Sequence, residues 1–573
     1  MKAKFFLSLL FIIFSCKNSD KEPEVISVKE TAQSKYGCAP ALNDKEWYKS
    51  DNKAPLFEGL DAVDYPIETE NPEAQKYFNQ GLVLAYGFNH GEAARSFYYA
   101  TKLDPECAMC YWGFAYVLGP NYNAGMDDDN YERAYDAIQK AKDLGSDSEK
   151  ETDLINAMAK RYVKEPVEDR SDLDIAYSEA MKKLHDKYPK DENIAAIYAE
   201  SLMDLHPWDL FDKQGKPKEW TPEIVGLLEN ILKENPEHPG ANHFYIHAVE
   251  ASNTPERANA SAKVLDDGLV SGAGHLVHMP SHVYIRTGEY HKGTLANIKA
   301  VQADSTYVTK CHAQGAYPLT LYPHNYHFLA ATATLEGNSE WAIIGANKLS
   351  ENVHPEVMTE PGWGTLQHYY SIPLYVQVKL GRWDELINSE FNTYDLSYLK
   401  AVKHYAQGMA YMANNDLKSA RKQLKELEKL ADDKSLEEIT VWDINSVSTL
   451  MQIAEKVLKG EILANEGKYD ESIALLKEAV EIEDSLNYDE PPDWFFSVRH
   501  HLGAVQIEAG NFKDAIATYE QDLKKLPKNG WAQHGMRLAY ENLNDDANVQ
   551  KMDQQIKQSW KGADIEINSS RIK

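Results

Sequence analysis

Positive charge is scarce in this chain. Lys and Arg account for 60 of 573 residues against 89 Asp and Glu, a formal net charge of -29. Such a field repels phosphate backbones, which argues against a nucleic-acid partner and favours cationic ligands and metal ions. Glycine (31) and proline (24) are too few for a fibrous or low-complexity chain, and 43% apolar residues are too many for a disordered one. The sequence contains no Gly-rich phosphate loop, no Gly-x-Ser-x-Gly elbow and no paired catalytic aspartates. Runs that alternate apolar and polar residues, the mark of half-buried strands, are also missing.

The long apolar run is at the start. Phe5 to Phe14 follows Lys2 and Lys4 and ends in Ile13-Phe14-Ser15-Cys16. About ten residues cannot cross a bilayer core of roughly 30 Å as a helix, so residues 1–15 read as a targeting segment. A cysteine directly after a small residue resembles the bacterial lipoprotein signal, which is cleaved before the cysteine and lipidated on its sulfur. That resemblance implies export, a lipid anchor at Cys16, and a place on the periplasmic or surface face of the cell envelope. Ordinary secretion with an incidental Cys16 is the alternative. Residues 16–70 form a tether and lead-in. Of the other cysteines, Cys38, Cys107, Cys110 and Cys311, the Cys107-x-x-Cys110 pair is open between a disulfide, a thiolate pair and two buried small residues.

From Asn71 onward apolar residues recur three and four apart, and a longer period of about 34 residues is superimposed. Gly81 leads to Ala93, Phe97, Ala100 and Pro105; Gly503 leads to Gly510, Phe512, Ala515, Tyr519 and Pro527 at matching offsets. Gly408, Gly460 and Gly535 start similar units, and Gly113 starts one whose Ala134 arrives nine residues late, implying an inserted loop over 119–127. A second loop is expected over 208–222. Small residues where two helices cross, an aromatic filling the gap to the next pair, and a terminating proline resemble the tetratricopeptide repeat (TPR). The expected fold is all-α: a right-handed superhelical α-solenoid of about ten TPR-like helix pairs. N-terminal repeats span 71–235, central degenerate repeats 236–390 and C-terminal repeats 391–573.

Ten of the 19 histidines fall within the 90 residues from His238 to His327, where an even spread places about three. The repeat supplies a register for them. Positions six and three before a crossing residue, and one and four after it, share an arc of about 80° on the first helix of a pair. In TPR proteins that arc resembles the concave, ligand-facing surface. Around Ile246 it holds Gly240, His243, His247 and Glu250; around Ser281, His275, His278, His282 and Ile285. Around Ala330 it holds His324, His327, Ala331 and Thr334, and around Leu374 the earliest position is His368. Pro239 and Pro323 stand at plausible first helical positions, whereas Pro280 implies that its helix begins there, leaving His275 and His278 in the preceding turn. Cys311-His312 and Tyr317-Pro318 read as a connector that can cover the groove. The run from Lys418 to Lys434 reads as a solvated helix face.

Candidate metal ligands are His243, His247, His278 and His282, with neutral imidazoles suited to zinc, copper or iron, and haem a further possibility. Glu250 is either a ligand or a general base for a metal-dependent hydrolase. Cys107 and Cys110 fall on the same inner arc and can act as soft ligands. A groove of this kind can instead hydrogen-bond a peptide, a sugar or an anionic cofactor.

Three segments carry a closer resemblance: Cys-Ala-Met-Cys-Tyr-Trp-Gly (107–113), Asn-His-Phe-Tyr-Ile-His-Ala-Val-Glu (242–250), and Gly-His-Leu-Val-His-Met-Pro-Ser-His-Val-Tyr-Ile-Arg-Thr-Gly (274–288). They are similar to phrases in a group of large bacterial TPR proteins. The likeness spans about residues 70 to 350. It implies the fold and a binding or scaffold role with a protein or peptide ligand, and it offers no settled activity to carry over.

Overall fold

Twelve helix pairs follow one another along a computed structural model that describes residues 45–50, 52–311 and 316–573. The expected leader over 1–15, Cys16, Cys38, the side chain of Cys311 and His312 lie outside that description. The first four pairs are Pro72–Tyr86 with His90–Leu103, Ala108–Leu118 with Asn130–Leu144, Glu149–Met158 with Ser171–Lys187, and Glu192–Asp204 with Thr221–Glu234. The fifth joins Pro239–Glu250 to Asn259–Asp266. The sixth joins the broken helix Gly274–His278 and Pro280–Thr287 to Tyr290–Cys311, and the seventh Leu321–Leu335 to Ser339–Glu351. The last five are Gly364–Lys379 with Trp383–Ile387, Ser397–Ala413 with Leu417–Ala431, Val447–Asn465 with Tyr469–Ser485, Arg499–Glu508 with Phe512–Lys525, and Gly530–Asn542 with Asp546–Ser559. The all-α solenoid is therefore the architecture. The third and fourth pairs exceed the expected ten because neither carries the small-residue punctuation that reveals the others.

The crossing glycines show why consecutive helices approach so closely. Phe97 lies between Gly81 and Gly113, and a β-carbon on either glycine would overlap its ring. Tyr519 is clamped in the same way between Gly503 and Gly535. Each aromatic thus belongs to the second helix of one pair and fills the space left by small residues in that pair and the next. On Leu417–Ala431 the buried residues are Ala420, Leu424, Leu427 and Ala431, one stripe, with the expected charged face turned to solvent.

Helix starts follow local chemistry. Pro239 is the first residue of its helix, and the His238 ring caps it, Nδ1 accepting from the Ala241 N–H at 3.0 Å. Pro323 departs from expectation as the third residue of a helix that begins at Leu321, still within the first turn where an N–H has no intrahelical partner. Pro280 does not start the helical course either. Met279 keeps helical dihedrals (φ -50°, ψ -34°), so Gly274–His278 runs directly into Pro280–Thr287 with one hydrogen bond lost at the proline. His275 and His278 therefore share a helical course with His282.

The array curls until distant pairs meet. The Tyr290 hydroxyl donates to the Pro527 carbonyl at 2.8 Å, and Trp531 Nε1 donates to that of Thr334 at 2.8 Å. At the other end, His243 in the fifth pair reaches the Tyr86 carbonyl in the first. Inserted loops fill the resulting interior: 119–129 and 205–220 within the second and fourth pairs, and the hairpin Thr440–Val441 and Asn445–Ser446 and 486–498 between pairs. The expected covering connector is shorter than anticipated, because helix Tyr290–Cys311 runs into it and Tyr317 is anchored by donating to Asp304 at 2.7 Å.

Candidate metal centre

The register of the first helices brings seven of the nine candidate residues together. Ring centroids lie 4.9 Å apart for His243–His247, 5.0 Å for His243–His275 and 5.4 Å for His247–His282. They lie 4.8 Å apart for His278–His282 and 4.9 Å for His278–His324. Glu250 sits among them. His327 and His368 pair beside this group, 5.6 Å apart; His327 stacks on Phe495 and His368 bonds the Tyr398 hydroxyl at 2.8 Å.

The site is a closed chamber where an open groove was expected. None of the six converging histidines is more than 7% exposed. Phe88 approaches His243 at 4.5 Å, Trp208 approaches His247 at 5.7 Å, and Trp442 approaches His324 at 6.1 Å, all between ring centroids. Each of these three aromatics has a left-handed backbone, with φ of 53°, 58° and 52°. Bulky residues rarely adopt that conformation, and such strain concentrates where function requires a side chain in one place. No spacing rule in the sequence points to them, since they stand in turns outside the repeat register.

Partners at Nδ1 fix the rings. A carbonyl can only accept, so His243 Nδ1 donates to Tyr86 O at 2.5 Å. His247 Nδ1 donates to Glu250 Oε1 at 2.8 Å and His282 Nδ1 to Glu250 Oε2 at 2.6 Å. Asn297 uses its amide N–H on the Gly293 carbonyl, so its oxygen is the group that accepts from His278 Nδ1 at 2.7 Å. All four rings therefore turn Nε2 into the chamber. This is the arrangement in which an outer hydrogen bond orients a metal-binding imidazole and raises its basicity. His243 Nε2, His247 Nε2 and both ring nitrogens of His275 are buried without a hydrogen-bond partner. Such atoms normally cost stability, and a ligand would satisfy them. His278 Nε2 and His282 Nε2 face each other at 2.9 Å, a separation that needs a proton or a metal ion between the two lone pairs.

Charge divides the rings: burial opposes a proton on His282, but Glu250 and Glu490 hold its pKa up at about 9. Burial pushes His243, His275, His278 and His324 well below 6.5, leaving neutral lone-pair donors. Burial opposes the charge on Glu250, but His282 and His247 hold its carboxyl down at about 2. With both oxygens already accepting hydrogen bonds, Glu250 orients two imidazoles and is poorly placed to serve as a general base. Glu490 brings a second carboxylate to 3.3 Å from His282 Nδ1, and Asp489 lines the remaining space. Neither is signalled by the repeat; they follow from the curl that carries loop 486–498 inward.

Three triads have ligand atoms within 4.8 Å of one another: His243–His247–His275, His278–His282–His324, and His247–Glu250–His282. The cavity against them measures about 20 Å³, room for a small ligand and far too little for a porphyrin, so the haem expectation does not fit. Cys107 and Cys110 are joined to each other in a disulfide, which removes both sulfurs as thiolate ligands.

No family model matches the chain, and no curated protein does. Among solved structures, the human IFIT1 dimer with m7Gppp-AAAA is 13% identical, covering 87% of this chain and 92% of that one at a TM-score of 0.31. Yeast Tom70 is 12% identical over 85% of this chain and 100% of that one, TM-score 0.31. The P58(IPK) TPR domain is 13% identical over 85% and 96%, TM-score 0.18. Scores this low carry no argument about the site, and the architecture rests on the chain's own helix pairs.

Proposed function

We propose that this protein is a transition-metal-binding α-solenoid, exported and held in the bacterial cell envelope by a lipid on Cys16. The observation that carries the metal reading is the set of converging imidazoles, four of them anchored through Nδ1 with Nε2 turned inward. Zinc, copper and iron all accept imidazole nitrogen, and zinc takes it at about 2.0–2.1 Å. The anchor rests on the Ser15-Cys16 signal, and export is supported by the Cys107–Cys110 bridge, which persists in an oxidising setting. Among the described residues no helix is long and apolar enough to cross a membrane. A protein or peptide partner, as the repeat resemblance implies, would dock on surfaces away from the histidines, which are enclosed. The hydrolase reading loses its base, because Glu250 is engaged at both oxygens.

The test is the metal content of the detergent-solubilised full chain, purified without an affinity tag. A near-stoichiometric transition metal, lost in the His243→Ala/His282→Ala double variant, supports the reading. Its absence after equilibration with excess zinc, copper and iron overturns it.

A further inference from the structure

Building on that metal-binding reading, we propose that the chamber holds two copper ions side by side, one in each all-histidine triad, with one small exogenous ligand able to reach both. The six imidazoles divide without sharing: His243, His247 and His275 form one set, His278, His282 and His324 the other. The sets abut, with His275 and His278 ring centroids 5.7 Å apart and His247 and His282 5.4 Å apart. Glu250 locks one ring of each set through a different oxygen, so a single carboxylate holds both halves in register.

The donor set selects the metal. Neither triad includes a carboxylate, a thiolate or a carbonyl, which disfavours oxygen-seeking ions and cluster iron. Among divalent first-row ions copper binds nitrogen sites most tightly, and copper also has a monovalent state. Charge decides between the remaining candidates. Two cuprous ions bring two positive charges into a buried chamber where two zinc ions bring four, and uncompensated buried charge is costly. Of the buried carboxylates beside His282, Glu250 carries a negative charge and Glu490 is already opposed by Arg286, 4.0 Å from its Oε1, so little is left to offset four.

The space left over defines the further ligand. The cavity of about 20 Å³ is lined by His247 and His275 from one triad and by His282 and His324 from the other. A ligand of two or three atoms placed there touches both metal positions. Asn123, Leu321 and Trp442 line this cavity and also a larger one of about 160 Å³, which supplies the approach.

The experiment titrates the metal-free full chain in detergent with copper(I) under anaerobic conditions, then loads a second sample with copper(II) and adds azide. Two copper ions per chain are expected, falling to one in His243→Gln/His275→Gln and to one in His278→Gln/His324→Gln. Azide should quench most of the copper(II) electron paramagnetic resonance signal of the wild type by coupling the two spins, and should leave single-triad variants at full intensity. One ion per chain, lost in both double variants, overturns the two-ion inference while the metal reading stands. No bound ion of any kind overturns both. Retention of zinc against equimolar copper(I) overturns the choice of copper. Should the variants fail to fold, the wild-type spins decide alone: two full spins indifferent to azide contradict the shared ligand.

Discussion

Removing Arg571 should destabilise the protein in a pH-dependent way. Glu461 stands one residue after the crossing Gly460, on the inner arc of the tenth pair, and is fully buried. Burial alone would raise its carboxyl pKa; Arg571, with Nε 2.7 Å from Oε1, and the His501 hydrogen bond at 2.6 Å hold it at about 2 against 4.5 in the free side chain. At 1.36 kcal/mol per pKa unit, that depression corresponds to about 3 kcal/mol at pH 7. Because the folded pKa lies below the unfolded one, the stabilisation is complete above pH 4.5 and is lost as the pH falls through 2. Linkage leaves about 2 kcal/mol at pH 3.5. Arg571→Ala should cost about 3 kcal/mol at pH 7, in line with stranding one member of a buried pair. The gap to wild type should narrow as the pH is lowered from 7 to 3.5. Urea unfolding at the two pH values measures the loss and its narrowing, and adding Glu461→Gln should recover much of the loss. A loss that ignores pH, or one that Glu461→Gln deepens additively, would refute the reasoning.

Three further outcomes follow from the packing. Gly503→Leu forces a side chain into the Tyr519 ring and should lower stability by about 1–3 kcal/mol in thermal unfolding; an unchanged melting temperature contradicts the repeat register. Asp564→Ala removes a carboxylate that accepts from the Ser339 and Glu340 N–H groups at 2.6 and 3.0 Å, capping helix Ser339–Glu351, and should cost about 0.5–2 kcal/mol. Trp208→Ala opens the chamber above His247, so a chelator should strip bound metal several-fold faster than from wild type; an unchanged stripping rate argues against Trp208 as a cover.

Much of the fold is legible in the chain. Gly81, Gly113, Gly503 and Gly535 mark helix crossings, because two helices in close contact need a small residue at the crossing and an aromatic at a fixed offset to fill the gap beside it. That register then places His243, His247, Glu250, His275, His278, His282 and His324 on a common arc. What the register does not encode is curl. A period of 34 residues gives each helix its neighbours in sequence, whereas contacts such as His243 with Tyr86 or Glu490 with His282 depend on rotations accumulated over many pairs. The expected groove is accordingly an enclosed chamber reached through a neighbouring cavity, and Phe88, Trp208, Trp442 and Asp489 enter it from turns that carry no periodic signal. The third and fourth pairs leave no mark in the repeat pattern because they lack its small-residue punctuation. His327 and His368 show the limit of the arc argument: both satisfy it, yet they face each other beside the main group.

The most direct test is anomalous diffraction from crystals of the metal-loaded protein, recorded on either side of the metal absorption edge. The account predicts strong peaks within bonding distance of the inward Nε2 atoms of His243 and His247, of His278 and His282, or of both pairs. Peaks confined to surface carboxylates, with the six imidazoles buried in their present positions and no metal among them, would contradict it.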